Sequence, residues 1–166
     1  MNATTEFYQT LSSMSFTLLG IWFAVMQFAN GSWRGDPQRH RANLHIALHF
    51  FLPGFLGLSA LLSGNPDSGL LWRSVFVLGG LVAVAESLSF LQLSRAPFGL
   101  AGQVLRMLDP VLLTLMVVAA VLPEGLFLVT PLQIEGMLTG LLFMSGLCYV
   151  WLAFAEPAPP TPQPPH

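Results

Sequence analysis

The chain alternates long apolar runs with short polar ones, and the runs set its architecture. Crossing about 30 Å of hydrocarbon takes roughly 20 residues of helix. Five stretches have that length: residues 8–30, 43–63, 70–93, 103–122 and 132–155. The second contains Pro53, Gly54 and Gly57, which predict a kink that neighbouring helices can absorb. The fourth has two readings. Asp109-Pro110 is a good helix start, with Asp as N-cap and Pro at the first helical position. A helix beginning there would leave 98–108 as a short interfacial helix, with a short span after it or one continuing past Pro123, and would favour four spans over five.

The separators read as loops. Residues 31–42 are polar and basic, 64–69 form a Gly-Asn-Pro-Asp-Ser-Gly turn, and Pro123-Glu124-Gly125 opens another. The expected fold class is an all-α integral membrane protein, a bundle of about five transmembrane helices forming one domain over residues 1–155. Residues 156–166 form a Pro-rich tail. Proline at that density excludes helix and strand and favours a disordered, extended polyproline form.

Composition sharpens this picture. Hydrophobic residues make up 54% of the chain, charged residues 8%, and the mean hydropathy is +0.66. A soluble domain carries about a quarter charged residues, so the lipid bilayer is the expected surroundings. The net charge of -2 gives no basis for a nucleic-acid partner. The single Cys148 has no partner for an internal disulfide. The N-terminus lacks the basic start, short apolar run and cleavage site of a signal peptide.

The chain has no lysine, and its six strongly basic side chains are all arginines. Arg34, Arg39 and Arg41 fall in the first loop, and Arg95 and Arg106 flank the third. Arg73 alone belongs to the other side, with Glu6, Asp67, Glu124 and Glu135. The positive-inside rule then places the N-terminus outside and the C-terminus inside. The expected location is the plasma (inner) membrane, as a multi-pass protein.

The first span carries a polar line. Thr10, Ser13, Thr17, Gly20, Ala24 and Gln27 follow one another at alternating steps of three and four, so they share one helix face. One step back lies Glu6, and further forward lie Gly31 and Arg34. A greasy helix does not turn such a line towards lipid; it faces another helix or water. If copies surround a pore, Glu6 forms an acidic ring at the outer mouth. Thr10, Ser13 and Thr17 then line a hydroxylated passage, Gly20 and Ala24 an apolar constriction, and Gln27 the inner exit. The plainer reading makes the line a tight seam between packed helices.

Titratable groups inside spans are rare and face protein or water. Here they are His45, His49, Glu86, Arg106, Asp109 and Glu135. At 1.5 Å per residue, His49, Glu86 and Asp109 all lie roughly 9–10 Å below the cytoplasmic face. His45, His49, Glu86, Arg106 and Asp109 are therefore expected to form a buried polar network. It could relay protons, bind a cation or sense pH. Alternatively, Glu86 pairs with His49 or Arg106 to hold helices together while Asp109 caps the fourth span. His45 and His49 have a spacing that can bind metal. Two histidines without a third ligand make a poor zinc site, so neither metal nor cofactor is expected.

Small-residue faces at Gly79, Ala83 and Ser87, and at Gly136 and Gly140, predict close helix contacts. Trp22, Tyr149 and Trp151 read as interface or packing residues and Trp72 as a membrane-belt anchor. There is no internal repeat of the transporter kind, and no metalloprotease motif, phosphate loop or nucleophile elbow, so an enzyme is not expected. The functional expectation is a small homo-oligomeric ion channel, conducting inorganic cations through a pore lined by the polar stripe of its first helix, whose partners are lipid and copies of itself. The alternatives are a non-catalytic accessory or assembly subunit of a larger membrane complex and a small proton-coupled transporter.

Overall fold

A computed structural model describes residues 3–28, 37–63, 69–93 and 99–155. Five helices run through them: α1 (Ala3–Phe28), α2 (Pro37–Leu62), α3 (Gly69–Leu93), α4 (Gly99–Val121) and α5 (Pro131–Ala155). Each is long and apolar enough to cross a membrane. The tail 156–166, the loop residues Gly31 and Arg34, and Asp67 and Arg95 lie outside the described residues.

Helix ends follow local chemistry. Pro37 and Pro131 begin α2 and α5, at the position where a missing backbone N–H costs nothing. Before α5, the Gln133 N–H donates to Thr130 Oγ1 at 3.2 Å while the Thr130 N–H donates to Gln133 Oε1 at 2.9 Å. Two otherwise orphaned donors are thus satisfied reciprocally. Arg41, expected in a loop, lies within α2 and donates to Ser89 Oγ on α3.

The fourth span resolves in favour of the longer helix. Asp109 and Pro110 sit in the middle of α4, so Asp109 is not an N-cap. The proline removes one N–H from the helix ladder, a loss that neighbouring helices make tolerable within a membrane bundle. Pro53 is accommodated inside α2 in the same way.

Consecutive helices pack together, and α5 returns against both α1 and α2. The centre is filled. Leu52, Leu56, Phe76, Leu113, Met116 and Leu142 form one apolar cluster with Tyr8 and Trp72, and Phe50, Phe143, Ile46 and Trp22 belong to a second. Trp72 is 3% exposed and not a belt residue; its ring packs on Phe76 and under the Arg73 guanidinium. Close approach depends on missing side chains. A Cβ at Gly80 would lie 2.6 Å from Val117 Cγ2 on α4, and one at Gly146 would lie 2.7 Å from the Cβ of His49. Gly136 and Gly140 lie against the ring of Phe7, as their small-residue face predicted.

Candidate functional site

α2 carries His45 and His49 one turn apart, so both imidazoles leave the helix on one side. That side faces the interior, where both residues are buried. Gly146 on α5 lies against His49, and this close approach seats Tyr149, one turn further along, beside both imidazole rings. α4 supplies Asp109, which is fully buried. α3 supplies Glu86, half-buried, and Phe90, whose ring stacks on His45 at 4.0 Å between centroids.

The polar atoms interlock. His45 Nδ1 lies 2.9 Å from Glu86 Oε2, and His45 Nε2 lies 3.2 Å from Asp109 Oδ2. His49 Nδ1 lies 2.8 Å from the carbonyl oxygen of His45, and His49 Nε2 lies 3.3 Å from Asp109 Oδ1. The Tyr149 hydroxyl donates to Asp109 Oδ2 at 2.6 Å. Four helices therefore meet at one polar centre inside an apolar bundle.

Sequence depth alone brought His49, Glu86 and Asp109 to one level, and the structure gathers them around His45. The pairing differs from expectation. Glu86 bonds to His45, not to His49 or Arg106. His49 Nδ1 is already engaged by a backbone carbonyl one turn back. The Arg106 guanidinium is drawn to the carbonyls of Phe90 and Leu91, at 3.2 and 2.8 Å. These belong to the last turn of α3, where carbonyls lack partners within their own helix. Arg106 also lies over the Phe90 ring, so it borders the cluster without pairing Glu86.

Tyr149 is the residue that sequence reasoning did not place in the network. Its signal was available: a phenol buried in a span needs a partner for its hydroxyl. Glu135 behaves differently from the network. It is fully buried in the second turn of α5, and neither carboxyl oxygen has a hydrogen-bond partner.

Glu6, Thr10, Ser13, Thr17, Gly20, Ala24 and Gln27 are all exposed on the bundle surface. The packed face of α1 is formed by Tyr8, Leu11, Ser12, Ser15 and Trp22. At about 100° per residue, the two faces are on opposite sides of the helix. Within the stripe, Ser13 Oγ donates to the Gln9 carbonyl at 2.9 Å and Thr17 Oγ1 to the Ser13 carbonyl at 2.7 Å. Beside it, Thr10 borders an open apolar groove of about 490 Å³ between α1 and α5, lined also by Phe7, Met14, Gly140 and Met144.

The chain matches no protein-family model, no curated protein sequence and no solved structure. What is established is the architecture: a multi-pass, all-helical membrane bundle with a buried histidine–carboxylate centre.

Proposed function

We propose that this protein is a small homo-oligomeric channel for inorganic cations, lying in the plasma (inner) membrane with its N-terminus outside and its C-terminus inside. The reading is carried by one observation: the polar stripe of α1 faces out of the bundle, opposite the packed side of its helix. An outward polar line gains partners or water when copies of the chain bring their stripes together. The filled interior supports the same arrangement, since the two apolar clusters occupy the space where a single chain would need an aqueous path. In this assembly Glu6 lies at the outer mouth, where a ring of carboxylates favours cations, and Gly20 with Ala24 forms the constriction.

Cysteine accessibility tests it. In a Cys148→Ser background, cysteines replacing Thr10, Ser13 or Thr17 should react with a water-soluble thiol reagent and block liposome flux. Cysteines replacing Leu78 or Val82, on the exposed face of α3, should not. Equal reactivity at both sets, or none at either, removes the pore.

A second reading rests on the hydrogen bonds that Ser13 and Thr17 make within their own helix. With its hydroxyls satisfied, the stripe also suits dry packing against a foreign helix, as in an accessory subunit. Mass determination of the purified particle separates the two. A ring of identical chains supports the channel, and a lone chain recovered only with larger partners supports the accessory role.

A further inference from the structure

The buried centre has too many acceptors. A carbonyl oxygen only accepts, so His49 carries its proton on Nδ1, towards the His45 carbonyl at 2.8 Å. The Glu86 carboxylate likewise draws the His45 proton to Nδ1, at 2.9 Å. In neutral rings both Nε2 atoms are then bare lone pairs. Both face Asp109, at 3.2 Å to Oδ2 and 3.3 Å to Oδ1. His49 Nε2 and Asp109 Oδ1 have no hydrogen-bond partner, although their side chains are only 4% and 0% exposed. Orphaned buried polar atoms are costly, and here two of them point into the same space.

We propose that His45, His49 and Asp109 bind a divalent transition-metal ion of the zinc class, through the two Nε2 atoms and the Asp109 carboxylate. With both rings neutral, one cation among the three acceptors supplies the positive charge that faces Asp109. The spacing suits it. Ligand atoms about 2.0–2.1 Å from a tetrahedral zinc are about 3.3–3.4 Å apart; the two Nε2 atoms lie 3.2 and 3.3 Å from different oxygens of the Asp109 carboxylate, Oδ2 and Oδ1, and one atom from each residue falls within 4.8 Å of the others. The donors also choose the metal: two imidazoles with one carboxylate suit zinc and its first-row neighbours, whereas calcium and magnesium take oxygen ligands.

The surroundings are those of a ligating set. Metal-bound histidines typically donate their second ring N–H to a carboxylate or a backbone carbonyl. His45 has the carboxylate of Glu86 and His49 has the carbonyl of His45. The Asp109 carboxylate is itself held by the Tyr149 hydroxyl. Three protein ligands leave a fourth tetrahedral position open. The site is independent of the α1 stripe and stands whether or not that stripe lines a pore.

The test uses the full chain in detergent, purified without a polyhistidine tag and stripped with a chelator. Equilibrated with Zn²⁺ and passed through gel filtration, it should retain one zinc per chain. Co²⁺ in its place should show the visible absorption of a four-coordinate site. His49→Gln and Asp109→Asn should abolish retention. Because either change could disturb folding, Glu86→Gln is the decisive variant: it keeps all three ligands and should weaken Zn²⁺ binding by about 10–100-fold in a monodisperse protein. His40→Ala combined with Cys148→Ala, outside the centre, should leave binding unchanged. A monodisperse wild-type chain that retains no zinc or cobalt overturns the proposal and assigns protons to the two Nε2 atoms. Zinc lost with His40 and Cys148, or bound at wild-type affinity by Glu86→Gln, also overturns it.

Discussion

At the residue scale, the histidine–carboxylate centre depends on positions that carry no charge. Tyr149 contributes one hydroxyl, donated to Asp109 at 2.6 Å. Tyr149→Phe keeps the ring packing against His45 and His49 and deletes that bond. Hydrogen bonds between membrane helices are worth about 0.6–2 kcal/mol, so unfolding in detergent should show a loss of that size with the helix content unchanged. Gly146 is the harsher position, because an added Cβ would stand 2.7 Å from the Cβ of His49. Two rigid backbones meet there, so the crowding has no flexible side chain to absorb it. Gly146→Ala should cost about 1–3 kcal/mol, the range for overpacking a filled core, and should displace His49 from Asp109. Thermal unfolding of the two variants side by side ranks these effects. A neutral Gly146→Ala would mean that α2 and α5 can separate freely.

At the element scale, the helices are held by their ends as much as by their faces. The box formed by Thr130 and Gln133 satisfies two donors before α5. Thr130→Ala should therefore cost about 0.5–2 kcal/mol, read as earlier fraying of α5 by hydrogen exchange at its first turn. An undisturbed first turn would show that Pro131 and burial suffice. Arg73 does the corresponding work for α4. It donates to the carbonyls of Ala120 and Leu122, both at 2.7 Å, and pairs with Glu124 at 2.8 Å. Glu124 is largely exposed, and an exposed ion pair contributes little. Glu124→Gln should thus leave stability nearly unchanged, whereas Arg73→Met, which strips the carbonyls of their donor, should lower it measurably in the same unfolding assay.

At the scale of the whole molecule, helix order fixes which ends share a membrane face. Five consecutive spans put the start of α2 and the end of α4 on opposite sides. A single cysteine replacing Gln38 should label only from inside and one replacing Glu124 only from outside, if the arginine bias sets orientation as proposed. Labelling of both from one side would break the topology. The channel reading makes its own prediction at the mouth. Glu6→Gln removes one negative charge per chain from the proposed ring and should reduce the preference for cations over anions in liposome flux. An unchanged preference would take Glu6 out of the conduction path.

The five spans were legible because length and apolarity are local properties, and so was the stripe, whose spacing places it on one face before any neighbour is known. Depth along a helix is also local, which is why His49, Glu86 and Asp109 could be brought to one level from sequence. Partners are not local. Glu86 meets His45 because His49 is turned to a backbone carbonyl and Arg106 is taken by the end of α3, and neither event leaves a mark in the spacing of residues. The role of Asp109 changed for the same reason. In sequence Asp-Pro reads as a helix start, but α4 runs through it and carries the carboxylate inward between two histidines and a tyrosine. Sequence by itself determined that the chain has five helices long and apolar enough to cross a membrane and which groups share a level along them, since length, apolarity and position along a helix are local. Tertiary structure decided which faces meet, because that follows from close approach at glycines such as Gly146 and from competition among buried polar groups for a small number of partners.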